Sequence, residues 1–578
     1  MAGWAGDVLD CIIRNGTVID GSGAPRRRAD VGLKDGRITA IGEVNESAVK
    51  TIDADGQIVA PGFIDIHTHY DAAIMWDPYA TPSPTFGVTT VIGGNCGFTI
   101  APIDAERDAD YIARMLARVE GMPFESLEAG LDWNWRSFGE WLDRIEGHIA
   151  VNAGFLVGHS ALRRMVMGRG AGDNARSADI TAMKRLLAES LAAGGLGFSS
   201  SNGPAHLDGE GNPVPSRAAS HDELVGLCRV VADHPGTALE YIVGFPSLGF
   251  TEQQVQLMID MSVAAHRPIN WNLLLVDSTQ DDIWRGELDA STTAATAGGK
   301  IVALTLPALI RARLSLETGF LFETIPGWEF LFRLPVPERM SFLRDPAERE
   351  RLRVAAVAAE PAHRERVEWG RYTIVETFAP TNAAYRGRTV ASIADERRCD
   401  PFDALIDIAI ADDLRTGLEH APVGDDEASW KSRSQVWRDP RVVLGGSDGG
   451  AHLDLLTAFT YPVELLGEHV RDRHLLELEE AVRLITDAPA QLYGLNGRGR
   501  VREGFHADLV LFDPATIGAG PISTAHDLPG GAARLTGQAE GISHVLVNGV
   551  PIIVDGATTG DLPGSLLRSG RDTSTVLP

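Results

Sequence analysis

Eight short runs rich in Val, Ile and Gly punctuate the chain, separated by longer stretches with helical spacing, and this alternation constrains the fold more than any other feature. The runs are QIVAPGFIDIHTH (from Gln57), TTVIGGNC (to Cys96), AVNAGFLVG (to Gly158), GGLGFSSS (to Ser201), TALEYIVG (to Gly244), PINWNLLL (to Leu275), KIVALTLP (to Pro307) and RVVLGGSD (to Asp448). Eight βα units predict an α/β chain with a (β/α)8 TIM-like barrel over residues 57–499. At both ends the pattern changes to short strands and turns, as in VLDCIIRNGTVIDG and ADVGLKDGRITAIG, and later ADLVLFDPATI and SHVLVNGVPIIVDG. Neither end can bury its apolar face alone. Residues 1–56 and 500–578 are therefore predicted to pair into one small β-sandwich domain.

More than a hundred residues, about 308–440, interrupt the pattern before the eighth run. They read as a lid or a surface for a homo-oligomer. The stretch ERERLRVAAVAAEPAHRERVEWGR also fits a solvated helix with i,i+4 charge pairs.

Charge narrows the partners. Asp and Glu number 79 against 52 Lys and Arg, a net charge of −27, which repels phosphate backbones and anionic membranes. No nucleic acid and no membrane partner is expected. Four scattered cysteines do not make a disulfide framework. The first residues lack a basic segment followed by an apolar one, and no run approaches about 18 apolar residues. A cytoplasmic protein with reduced thiols is the expectation.

The chemistry is expected at the C-terminal strand ends. His67 and His69 end the first run, and a period of two directs both imidazoles to one face, where they can grip a metal. Alone the pair says little, since 16 histidines give about 0.4 such pairs by chance. Cys96, among glycines in GGNCG, is either a small buried hydrophobe or a thiolate ligand suited to zinc. Asp448, in GSDGGAH, is either a helix cap or a carboxylate that ligates a metal and takes a proton from its water. Glu240, Asn270 and Asn272 are polar residues inside apolar strands, so inward-facing ones must ligate or hydrogen-bond. His159 and His452 stand near strand ends and, with the two asparagines, are candidate substrate contacts. Ser199, Ser200 and Ser201 lack a G-x-S-x-G elbow and are not read as nucleophiles.

Taken together, PGFIDIHTHYD, GGNCG, VGHSALRRMVMG, GGLGFSS, GSDGGAH and DAPAQLYGLNGRGRVREGFHADLVLFDP resemble the amidohydrolase superfamily, and within it the D-aminoacylase (N-acyl-D-amino-acid deacylase) branch. The resemblance spans nearly the whole chain. It implies a metal-bearing (β/α)8 barrel with a β-sandwich from both chain ends, hydrolysing amide bonds with zinc, one or two divalent ions being bound. It also implies metal ligation by His67, His69, Cys96 and Asp448. The sequence departs from that branch at two positions. Leu239-Glu240-Tyr241 stands where the branch carries a fifth-strand histidine, and Trp271-Asn272-Leu273-Leu274 where it carries a sixth-strand histidine and a substrate-binding lysine. Glu240 is accordingly expected to substitute for a missing imidazole, with Asp448 as general base toward a metal-activated water. The expected substrate is a small-molecule amide. The absent lysine makes an anionic one less expected and keeps a cyclic amide, lactam, imide or carbamate as the alternative. A metal-poor binding descendant is the reading from another class.

Overall fold

The computed structural model of the chain describes residues 8–244, 248–319, 321–357 and 365–578. The chain divides into two compact units, one of residues 8–308, 424–453 and 458–578, the other of residues 309–423 and 454–457.

In the first unit the apolar runs form parallel strands. Phe63–Asp65, Val88–Gly93 and Asn152–Phe155 make one sheet, and Val157–Gly158, Gly197–Ser201, Ala238–Ile242, Ile269–Asn272, Ile301–Thr305 and Val442–Leu444 make another, each in sequence order. The third run supplies an edge to both sheets. A parallel bridge between Thr68 and Gly449, with the His69 N–H donating to the Gly449 carbonyl at 2.7 Å, ties the segments after the first and eighth strands. Every residue of Val88–Gly93 and Gly197–Ser201 is buried, as expected for parallel strands covered on both faces. Ile64, Ile92, Leu156, Leu196, Val302, Leu304 and Val443, from six of the eight runs, share one apolar cluster.

Helices follow the strands. Ala105–Val119 buries Asp108, Ile112, Met115, Leu116 and Val119, an amphipathic stripe. Phe138–Ile145 begins at a capping box in which the Ser137 hydroxyl accepts from the Glu140 N–H and Glu140 accepts from the Ser137 N–H.

The first run does not belong wholly to the parallel strands. Ile58–Pro61 lies in a seven-stranded sheet, paired antiparallel with Leu509–Phe512 on one side and parallel with Thr17–Val18 on the other, whereas Phe63–Asp65 pairs with Val88–Gly93. Gly62 is the divide. A Cβ there would meet the Thr89 side chain at 2.2 Å. The second sheet of the chain ends has four strands, Arg37–Gly42, Asp30–Lys34, Leu9–Arg14 and Ala48–Asp53. Ile13, Val31, Val59, Leu509 and Leu546, from both sheets, share one apolar cluster.

The insertion is a unit with its own core. Arg313–Leu314, Gly417–Glu419 and Thr373–Glu376 form a three-stranded sheet, and Phe322, Trp328, Trp369, Tyr372 and Phe402 pack as an aromatic cluster. The charged run begins as a helix, Pro346–Val357, that buries only Leu352 and Ala356, as its composition suggests. Its continuation through 358–364 lies outside the described residues. No helix among the described residues is long and apolar enough to cross a membrane.

Candidate metal centre

His67 and His69 follow the first strand and are almost fully buried, their rings 5.3 Å apart and nearly perpendicular. Both Nε2 atoms face the Cys96 sulfur, at 3.5 Å for His67 and 3.9 Å for His69. One ligand atom from each of the three lies within 4.8 Å of the others. Asp448 adds a carboxylate, its Oδ1 3.3 Å from His67 Nε2 and 3.5 Å from His69 Nε2. Its Oδ2 takes no bond from a described residue, and its side chain is 32% exposed.

Two strained turns deliver these groups. Cys96 sits at φ +57° and Asp448 at φ +52°, left-handed conformations that cost of order 1–3 kcal/mol each in non-glycine residues. The Cys96 turn is pinned from several sides. The Cys96 N–H donates to Glu240 Oε2 at 2.9 Å, the Gly97 N–H to Ser199 Oγ at 3.1 Å and the Gly94 N–H to Asp71 Oδ2 at 3.0 Å. A Cβ on Gly94 would lie 2.2 Å from the Leu156 carbonyl oxygen, so only glycine fits that approach.

The electrostatics are those of a cavity built for a cation. Burial, reinforced by Glu240, Glu120, Asp448 and Asp71, pushes the Cys96 thiol well above its ordinary value. Burial pushes Glu240 up to about 8 and Asp71 to about 7. Glu120 is raised well above the carboxylate range by burial and by the neighbouring Asp448, Asp71 and Glu240. His69 is lowered to about 4, chiefly by burial. Burial would raise Asp448 as well, but the hydrogen bonds and charges of His67 and His69 outweigh it and hold its carboxyl well below the usual range. A divalent cation would let these acids ionise and the thiol become thiolate. Two imidazole nitrogens, a sulfur and a carboxylate oxygen are a donor set that zinc accepts.

The other expected residues are distributed differently. Glu240 is fully buried, one oxygen accepting from the Cys96 N–H and the other from the Asn272 amide, and it does not join the converging His67, His69 and Cys96 atoms. Through the Cys96 N–H its carboxylate holds the turn that carries the thiol. Asn270 donates to the Val302 carbonyl at 3.2 Å, and the side-chain oxygens of both asparagines are buried without a partner. His159 is fully buried, with Nδ1 2.8 Å from Ser200 Oγ and Nε2 2.9 Å from Glu223 Oε1. No ring nitrogen is left for a substrate. His452, at φ +46°, donates its N–H to the Glu120 carbonyl at 2.5 Å.

Three contributors escape the sequence reading. Glu120, the residue after helix Ala105–Val119, brings a buried carboxylate to 3.4 Å from His69 Nδ1. Asp71 braces Gly94. His206 packs against Phe98 with the rings tilted at 56° and 5.2 Å between centroids, and feels the charges of His69, His452 and Asp448. Nothing in local pattern marks Glu120, a single acid at the end of an amphipathic helix.

The chain matches the model of an amidohydrolase family over residues 50–553. It is 30% identical to a D-aminoacylase of Alcaligenes xylosoxydans xylosoxydans over 97% of each chain, and 30% identical to an N-acyl-D-glutamate deacylase of the same organism over 98% of this chain and 97% of that one. Among solved structures it superimposes on the N-acyl-D-glutamate deacylase of Bordetella bronchiseptica complexed with zinc and a phosphonate mimic of the tetrahedral intermediate. That comparison has a TM-score of 0.64, 26% identity and coverage of 97% of this chain and 100% of that one. A D-aminoacylase described with a binuclear metal centre matches at a TM-score of 0.64 and 27% identity, with the same coverage. With a family match over most of its length and these relatives covered end to end, the chain belongs to the amidohydrolase family, in the branch of the D-aminoacylases and N-acyl-D-amino-acid deacylases.

Proposed function

We propose that this protein is a zinc-dependent hydrolase that cleaves the amide bond of a small N-acyl amino acid, using one metal ion held by His67, His69, Cys96 and Asp448. The observation that carries the reading is the buried convergence of two imidazole nitrogens and a thiol within 4.8 Å of one another, with the Asp448 carboxylate 3.3 and 3.5 Å from the two imidazoles. The ordered parallel strands, the shared interior cluster and the Thr68–Gly449 bridge support a closed (β/α)8 barrel beside the end-strand β-sandwich. In such a barrel these residues stand at the C-terminal face, where its enzymes carry out their chemistry.

A single ion is favoured by the fifth and sixth strands. Glu240 and Asn272 stand there hydrogen-bonded to each other, in place of two imidazoles. When bound, a divalent ion polarises the scissile carbonyl and makes a water molecule acidic near neutral pH. The side chains do the rest. Asp448, ionised and with Oδ2 unengaged, takes the proton of the attacking water and passes it to the leaving nitrogen. His452, on the same loop, donates toward the developing oxyanion. Glu240 and Ser199 keep the Cys96 turn in its left-handed conformation.

The test is turnover of N-acetyl-D-amino acids by the metal-depleted protein before and after adding one equivalent of zinc. Activity should appear only with metal, and Asp448→Asn should lower kcat by about 10²- to 10⁴-fold, the usual contribution of a positioned acid–base group. Full activity after metal removal, or in Asp448→Asn, would overturn the reading.

A further inference from the structure

The segment that carries the two histidines leaves its strand before reaching them, so contacts beyond the regular ladder must fix where they stand. The strand Phe63–Asp65 ends two residues before His67. Thr68, between the histidines, is fully buried and held from three directions. Its N–H and its hydroxyl both donate to the Ile92 carbonyl, at 3.1 and 2.9 Å. Its backbone bridges to Gly449, the neighbour of Asp448. Its carbonyl accepts from the Asn95 side-chain amide at 3.1 Å.

Asn95 precedes Cys96 and is also fully buried. Its amide nitrogen donates a second time, to the same Ile92 carbonyl at 2.9 Å, so both of its hydrogens are spent on carbonyls. The other end of the amide, Oδ1, is buried without a partner among the described residues. An apolar side chain would fill the space without stranding an oxygen, so the task of Asn95 lies in its two donors.

Every ligand named above stands one residue from this knot. His67 and His69 flank Thr68, Cys96 follows Asn95, and Asp448 precedes Gly449. Glycines let the third segment come this close. A Cβ on Gly449 would lie 2.8 Å from the Tyr70 hydroxyl, and one on Gly450 would lie 2.6 Å from the His69 carbonyl.

We propose that Thr68 and Asn95 are positioning residues, a clamp that sets the distance between the histidine pair and the cysteine and thereby the fit of the site to its ion. Neither is a ligand, and both act through the backbone of their neighbours. The assignment rests on the metal-centre reading above and adds to it the element that shapes the site before an ion arrives.

The experiment compares wild type with Asn95→Ala, Thr68→Val and Thr68→Ser by three readouts: zinc affinity in competition with a chelator, the thiolate-to-metal absorption of the Co²⁺-loaded protein, and Tm of the metal-free protein. Asn95→Ala should weaken zinc binding about 10- to 100-fold, the range for groups that orient metal ligands, and move the Co²⁺ band. Thr68→Val, which keeps the branched shape but loses the hydroxyl, should weaken it less, and Thr68→Ser, which keeps the hydroxyl, should restore it. Combining Asn95→Ala with Thr68→Val should cost less than the product of the two losses, because both donors share the Ile92 carbonyl. Wild-type zinc affinity in both Asn95→Ala and Thr68→Val, whatever their Tm, would overturn the clamp and leave the two as packing residues. Equal weakening in Thr68→Val and Thr68→Ser would overturn it as well, and that pair decides alone if Asn95→Ala does not fold. Wild type that binds Co²⁺ without a thiolate band would sink the metal-centre reading and the clamp with it, whereas a normal wild-type band beside unchanged variants sinks only the clamp.

Discussion

Removing Glu223 should cost stability and leave substrate affinity alone. Glu223 is 1% exposed and accepts from Arg163 Nη1 at 2.5 and 2.7 Å and faces His159 Nε2 at 2.9 Å. Arg163 and His159 are completely buried. In Glu223→Ala the guanidinium keeps its bonds to the carbonyls of Ala171 and Asp173 but loses its counter-charge, and His159 loses its Nε2 partner. Breaking one side of a buried ion pair costs about 3–5 kcal/mol, because the remaining charge has no water to return to. For a unit of about 460 residues the unfolding entropy is about 1 kcal/mol per degree, so Tm should fall by about 3–5 °C. Replacing both partners by apolar groups, Arg163→Met with Glu223→Leu, should recover most of the loss. Burial would raise the Glu223 carboxyl, but His159 and Arg163 prevail and lower it below 4.5. Its contribution is therefore present above that pH and lost as the pH falls through the lowered value. Thermal unfolding of zinc-loaded protein from pH 4 to 8, with KM at pH 7, checks this. A fall below about 1 °C, or a changed KM with unchanged Tm, would refute the structural role and return His159 to the substrate.

Other outcomes follow from the same geometry. Ser199→Ala removes the acceptor of the Gly97 N–H and should weaken zinc binding about 10- to 100-fold in competition with a chelator, as outer-shell losses do elsewhere, with little change in Tm. Glu120→Ala should do the same through His69 Nδ1, and Glu120→Gln, which keeps an acceptor there, should lose less. Glu287 is 1% exposed with both oxygens unpartnered, and burial raises it from 4.5 to about 8. A raised acid binds its proton more tightly folded than unfolded, so it destabilises progressively as pH climbs from 4.5 to 8, by about 1.4 kcal/mol per unit. Glu287→Gln should gain on wild type by about 1 °C in Tm per pH unit across that window. A constant gap would contradict it.

The strands were legible because each is a compact apolar run bounded by glycine or polar residues, and all eight runs contribute to the parallel sheets. The divided first run was not. Ile58–Pro61 and Phe63–Asp65 lie in one continuous buried run, and pairing with residues some 450 positions away separates them. At the site, His67, His69, Cys96 and Asp448 sit at strand ends, so the motif and the topology agree. Glu240 was recognisable as a buried acid with a task, but which task depended on the Cys96 N–H and Asn272 amide, which converge only in three dimensions. His159 shared the strand-end signature yet turned to a helix-borne glutamate. Glu120, Asp71 and His206 reach the site from helix and loop positions that carry no periodic signal.

Titration of the metal-free protein with Co²⁺, following the thiolate-to-metal absorption, counts the ions that the Cys96 sulfur holds. One shared ion gives a thiolate band that saturates at one equivalent and disappears in Cys96→Ser. A band that saturates at two equivalents, or binding without any thiolate band, would contradict a single ion held by His67, His69, Cys96 and Asp448.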